Sequence, residues 1–240
     1  MRELVVERLT RVQMRRRLPA PGPGRSRYGV RGQIPELADD DPALVRIVAL
    51  AAESATGWAL FERAADTMLV IPPFPVEQPL DLDRIDPSAL VDLLERRRAV
   101  ALFLLRLGGF AVGFYRGDAL VDSKTDRRFV KNRHRKGGQS QRRFERIREK
   151  QVDELFALAC ATARQKLTPY EDEIMHVVLG GDRRTLQAFR KQCRFFDHYG
   201  ERLIDRVLHL PGDPRHASLE GAPRELWSSD VYTVAVRGEG

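Results

Sequence analysis

Gly137-Gly138-Gln139 is the triplet whose residue types could do chemistry. Paired glycines let a backbone approach a partner closely and adopt φ values closed to other residues. The glutamine brings a neutral amide that can orient one water but cannot titrate as a base. A backbone N–H at such a tip can face charge that develops on an oxygen. The triplet lies inside the run Lys131 to Lys150, KNRHRKGGQSQRRFERIREK, so the amide is wrapped in positive charge and suits a loop entering an RNA-walled pocket. From Lys124 to Lys150 there are twelve Lys/Arg against three Asp/Glu, a net of +9 in a chain whose total is +7. A basic cluster confined to one segment is the footprint of a polyanion, nucleic acid first, and its binding should weaken steeply with salt. The alternative is a solvated helix face, which is what many charge runs are. Arg142, Arg143 and Arg146 fall in the first two turns of the helix expected next. Cations there oppose the macrodipole by roughly 0.3–1 kcal/mol each, so an external anion is the natural partner.

The elements that must hold this tip can be read from periodicity. Val100–Leu105 and Phe110–Tyr115 predict two strands joined at Gly108-Gly109, the first apolar on both faces as a central strand would be. Ala119–Asp122 predicts a short third strand leading into a loop at 123–140. About 16 loop residues reach roughly 50 Å when extended, and half that as a hairpin. Beyond the loop, Phe144, Ile147, Val152, Leu155, Leu158 and Ala159 predict the apolar face of one long helix ending near Leu167, with Arg142, Arg146 and Arg164 on its polar face. Phe129 and Phe144 could stack on bases, but Phe144 falls on the apolar face and is expected in the core. Strands follow at Glu173–Leu179, Leu203–Leu210 and Val231–Val236, with a helix from Asp182 through Lys191. Gly180-Gly181-Asp182 reads as a turn, because no Gly-x-x-x-x-Gly-Lys follows.

Upstream, Asp39-Asp40-Asp41-Pro42 starts a helix carrying Leu44, Ile47, Val48 and Ala51. Trp58–Phe61 and Thr67–Ile71 predict two strands, and Asp86-Pro87-Ser88 a helix to about Arg97. The expected organisation is a basic segment and linker at 1–35, then one domain at 36–240. That domain has an N-terminal part at 36–85 and a core at 86–240. The leading segment is either an RNA-contacting arm or a disordered tail.

Composition bounds the class. Hydrophobic content of 42% supports a sizeable core. No apolar run approaches the ~18 residues of a membrane span, and the N-terminus has no signal core. Cys160 and Cys193 have no ligand spacing and suggest no framework of bridges; Cys160 is expected as a small packing residue. Together these predict a cytoplasmic, reduced, soluble and monomeric protein without a membrane partner. Glu171-Asp172-Glu173 and His176, His198, His209 and His216 lack a metal-ligand pattern, so no metal and no small-molecule cofactor is expected.

The string Gly-Gly-Gln-Ser-x-x-Arg-Phe-x-Arg-x-Arg at Gly137 to Arg148 resembles the catalytic loop and following helix of the middle domain of eukaryotic and archaeal class-one peptide release factors. The close match covers about 25 residues, and the order of elements from about Arg98 to Leu210 also fits that domain. The Asn-Ile-Lys-Ser stop-codon motif is not found, and the chain is expected to lack the codon-reading and C-terminal domains. What remains resembles the Vms-like release-factor family (VLRF), without the zinc finger, ankyrin repeats or segregase-binding tail of eukaryotic members. The resemblance implies an α/β fold, a mixed sheet with flanking helices around an RNase H-like core. It implies a codon-independent peptidyl-tRNA hydrolase that rescues stalled nascent chains, with Gly137, Gly138 and Gln139 as the catalytic tip. Peptidyl-tRNA and large-subunit ribosomal RNA are the implied partners. Lys124, Arg127, Arg128, Lys131, Arg133, Arg135, Lys136, Ser140, Arg142, Arg143 and Arg146 would bind them. His134 could be a base or an RNA contact, and phosphate contact fits it better because no carboxylate stands beside it. Two rivals stay open. One is an endonuclease clipping the tRNA 3′ end, which the resemblance also allows. The other is a non-catalytic ribosome- or tRNA-binding factor in which Gly137-Gly138 is an ordinary turn.

Overall fold

The structure, a computed structural model, describes residues 2–37, 41–130, 139–209 and 212–235, with the backbone alone for 139–142. The chain divides into two compact units, Met1–Arg96 with Arg224–Gly240, and Arg97–Pro223. The first unit contains β1 (Leu4–Leu9), α1 (Arg11–Arg17), β2 (Arg25–Gly29), α2 (Pro42–Ala52), β3 (Trp58–Glu62), β4 (Asp66–Ile71), β5 (Leu80–Leu82) and α3 (Ser88–Glu95). The second contains β6 (Ala99–Arg106), β7 (Gly109–Arg116), β8 (Ala119–Arg127), α4 (Gln139–Leu167), β9 (His176–Gly181), α5 (Arg183–Gln192) and β10 (Leu203–Leu208). Most of α6 (His216–Leu226) belongs to the second unit, and β11 (Ser229–Ala235) returns to the first.

The first unit is a six-stranded sheet ordered β1-β11-β4-β3-β2-β5. Successive β3 residues serve opposite faces. Ala59 and Phe61 pack with Met14, Leu90 and Leu94 of α1 and α3, whereas Trp58 and Leu60 pack with Leu44 and Ile47 of α2. Covering both faces explains why this strand reads as continuously apolar. Asp41 caps α2 by accepting from the Ala43 N–H at 2.8 Å, with Pro42 at the first helical position.

The stretch expected as an arm and a linker supplies two strands of this sheet. β1 pairs antiparallel with β11, and β2 lies between β3 and β5. Polar side chains hide β2 in the sequence, yet each finds a partner. Arg25 forks onto Asp81, Arg27 onto Glu62, and Ser26 accepts from the Asp86 N–H.

In the second unit the order is β10-β9-β6-β7-β8. β7 runs antiparallel to both neighbours, while β6, β9 and β10 are parallel. Taking β6 as first, the order is 5-4-1-2-3 with only the second strand reversed, which is the RNase H-like arrangement. β6 is buried from Val100 to Leu105, as a central strand should be. One face packs α4, α5 and the 3-10 segment Phe195–Arg202 around Phe103, Phe156, Phe189 and Phe196. At α6 the Tyr115 hydroxyl donates to the Leu219 carbonyl at 2.8 Å. Gly181 has φ +120, and a Cβ there would meet the Leu105 carbonyl oxygen at 2.0 Å, so the glycines before α5 serve a packing turn.

Two further expectations are corrected. β8 runs through Arg127, not to Asp122, because pairing with β7 continues to Gly109↔Arg127. Ser123–Arg127 are therefore strand, not loop. A polar edge strand needs only one covered face, which disguises it in sequence. Cys160 and Cys193 are joined in a disulfide with Cα atoms 5.7 Å apart, which corrects the expectation that no bridge forms and that Cys160 is a lone packing residue. The packing of Phe156 on Phe189 brings the end of α5 against α4 and makes the pair meet. No helix among the described residues is long and apolar enough to cross a membrane.

Candidate nucleic-acid interface

β8 and α4 carry the two ends of the glycine-containing segment. β8 is tied to β7 along its length, and the Arg128 N–H donates to the Gly108 carbonyl at 3.1 Å. Val130 packs against the core, whereas Phe129 is 76% exposed. On the other side, α4 is anchored by its C-terminal half. Leu155, Phe156, Ala159, Ala163 and Leu167 are buried at helical spacing against the sheet. Lys166 donates to Asp122 at 2.8 Å and so joins the end of α4 to β8. These two positioning residues are 44 apart in sequence, and no local pattern reveals the pair.

The N-terminal half of α4 is different. From Arg143 to Glu154 no residue is buried. At 1.5 Å per residue, Gln139 lies about 24 Å along the helix axis from Leu155. Phe144 is 47% exposed, which corrects its expected place in the core. It shares a helix face with Leu155, but about three turns earlier, where α4 has not yet reached the sheet.

The sequence candidates fall into three groups. Lys124 and Arg127 are exposed on β8, Arg128 follows them, and Arg143 and Arg146 are exposed on α4. Gln139, Ser140 and Arg142 occupy the first turn of α4 by backbone. Lys131, Arg133, His134, Arg135, Lys136, Gly137 and Gly138 lie outside the described residues. Among the described residues no carboxylate pairs with Lys124, Arg127, Arg128, Arg143 or Arg146. The first turn of α4 contains no acid. The near carboxylate of Asp126 is turned to the Arg127 backbone N–H at 2.7 Å. The geometry is a paired strand end and a helix N-terminus, both bearing cations that no carboxylate pairs among the described residues.

The acids and histidines beside this site are engaged elsewhere. Arg116 forks onto Glu173 at 2.8 Å and holds its carboxyl below the usual range. His198 meets Glu171 at 2.9 Å. His176 is half-buried, and desolvation, then the nearby Arg98 charge, pushes its pKa down to about 4. Among the described residues no three His, Cys, Asp or Glu are grouped to hold a metal.

Residues 98–232 match the family described as Actinobacteria/chloroflexi VLRF1 release factor. A 127-residue stretch, 51% of this chain, is 31% identical to peptide chain release factor subunit 1 of Archaeoglobus fulgidus and spans 31% of that protein. The archaeal translation termination factor aRF1 aligns at a TM-score of 0.41 and 16% identity, over 91% of this chain and 73% of that one. The Vms1 mitochondrial localization core aligns at 0.44 and 12% identity, over 81% of this chain and 85% of that one.

Proposed function

Because this chain belongs to the Actinobacteria/chloroflexi VLRF1 release factor family, we propose that it is a codon-independent peptidyl-tRNA hydrolase. It would free nascent chains from stalled large-subunit complexes, with Gly137, Gly138 and Gln139 at the ester. One observation carries the reading furthest: Gln139 is the first residue of α4. A helix leaves its first four amide N–H groups without intrahelical acceptors and concentrates partial positive charge there. The Gln139 N–H would thus face the 3′ oxygen as it leaves.

Water would attack the ester carbonyl carbon, the bond to the ribose 3′ oxygen would break, and a proton would pass to that oxygen. The products are a free peptide carboxylate and an intact tRNA. The Gln139 side chain would orient the water without acting as a base. Glycine at 137 and 138 would allow close approach. Most of the acceleration comes from positioning in the ribosomal RNA site. Lys124, Arg127, Arg128, Arg143 and Arg146, unpaired with any carboxylate among the described residues, would hold tRNA and ribosomal RNA phosphates together with the other basic residues of the segment. The chain would act as a cytoplasmic monomer without metal or cofactor.

The test is peptide release from large subunits carrying a labelled peptidyl-tRNA. Gln139→Ala keeps the backbone N–H but removes the amide that orients the water, and is expected to slow release about 100-fold while subunit binding persists. Equal release by the variant, or none by the wild type, overturns the proposal.

A further inference from the structure

Charge outside the segment from Lys124 to Lys150 is not evenly spread. Arg183 to Arg194 contains five Lys/Arg and no Asp/Glu. These residues are α5 and the residues just after it. Thr185, Leu186 and Phe189 are its buried side, and Cys193 is buried just past its end. Arg183, Arg184, Gln187, Arg190 and Lys191 follow i, i+1, i+4, i+7 and i+8, which is one stripe on the opposite side of α5, and Arg194 follows just past the helix end. Arg183, Arg184, Lys191 and Arg194 are exposed and Arg190 is half-exposed.

Two carboxylates stand near the stripe. Asp197 pairs with Arg194 at 2.7 Å and lies 3.8 Å from Arg190. Asp182 caps the helix by accepting from the Thr185 N–H and hydroxyl at 2.8 and 2.6 Å. Among the described residues no ion pair holds Arg183, Arg184 or Lys191. α5 is also fixed to the helix that carries Gln139. Gln192 donates to Asp153 of α4 at 2.9 Å, and the Cys160–Cys193 disulfide joins the same two elements.

We infer that the α5 stripe is a second contact surface for the sugar-phosphate backbone of ribosomal RNA, separate from the basic segment around the Gly-Gly-Gln tip. The inference rests on the functional reading above. The stripe is about 12 Å long from Arg183 to Lys191, enough to face successive phosphates. It carries no exposed aromatic and only one amide, Gln187, so it recognises charge and shape rather than base identity. Its rigid link to α4 makes it an anchor that fixes the direction in which the tip enters.

The experiment measures binding of the full-length chain to purified large ribosomal subunits, and to protein-free large-subunit RNA, across a salt series. The variant is Arg183→Gln/Arg184→Gln/Lys191→Gln, with Arg183→Lys/Arg184→Lys as the charge-preserving control. Three lost phosphate contacts should lower the slope of log affinity against log salt by about 2 on both probes. The control should keep the wild-type slope, and the melting midpoint should not move. An unchanged slope in the triple variant, with a reduced slope in Arg143→Gln/Arg146→Gln, overturns the α5 surface and leaves the functional reading standing. Weakened binding to subunits but not to bare RNA assigns the stripe to an acidic ribosomal protein and overturns it as well. If the wild type itself shows no salt-dependent binding to either probe, the functional reading fails, and this surface with it.

Discussion

Arginine does two different jobs in the two units. In the first, Arg8 forks onto Asp230, Arg25 onto Asp81, Arg27 onto Glu62 and Arg63 onto Asp66. In the second, Lys124, Arg127, Arg128, Arg143 and Arg146 have no such partner among the described residues. The dividing line is the task rather than the unit. Arg116–Glu173 and Lys166–Asp122 are paired in the second unit too, where they tie strands to α4 and its continuation. A cation that fastens elements is given a carboxylate. Lys124, Arg127, Arg128, Arg143 and Arg146, which the proposed function assigns to RNA, are left without one among the described residues.

Experiments can break or sharpen this contrast. The largest stability effect should come from the staple that holds the cation-bearing helix. Closing a 33-residue separation is worth roughly 3–4 kcal/mol in chain entropy, so reduction or Cys160→Ser/Cys193→Ser should lower denaturant stability by about that much. Arg27→Ala should cost about 3 kcal/mol, because the guanidinium is buried and its loss strands Glu62. RNA affinity should be unaffected by it, and a fall in affinity would blur the contrast.

His176 sets an acid limit of the fastening kind. Its folded pKa of about 4 lies below its unfolded value near 6.5, so the unfolded chain binds the extra proton first. The stability it contributes is complete above pH 6.5 and is lost as pH falls toward 4, about 3 kcal/mol in all as an upper bound. His176→Phe should flatten urea stability over that window. A profile as steep as wild type would contradict the assignment. The smallest stability effect belongs to Arg143→Gln/Arg146→Gln, within about 0.5 kcal/mol of wild type. The same variant should reduce the salt slope of RNA binding by roughly 1.4–1.8.

What the sequence revealed follows the same division. β3, β4, β6 and β7 are apolar runs covered on both faces, and α2 announces itself with Asp41-Pro42, so all were legible. β1, β2 and the far half of β8 were not, because their stability comes from paired polar side chains and edge hydrogen bonds at long sequence separation. Val231–Val236 was legible as a strand. Its pairing with β4, in the sheet built from the chain's first hundred residues, was not, since period-2 patterning carries no partner identity. At the site, the composition of Lys124 to Lys150 marked the charge. Only the fold separates Phe144, still exposed, from Phe156, twelve residues on and buried. The stripe on α5 was visible as five basic residues without an acid, but its one-sidedness needed the helix.

The most direct measurement is the mass of the tRNA 3′ end after reaction with large subunits carrying peptidyl-tRNA. Ester hydrolysis predicts free peptide and a tRNA whose terminal nucleotides are complete, both formed about 100-fold more slowly with Gln139→Ala. A peptide still bearing a 3′ nucleotide fragment, with a correspondingly shortened tRNA, would contradict ester hydrolysis and make the protein a nuclease.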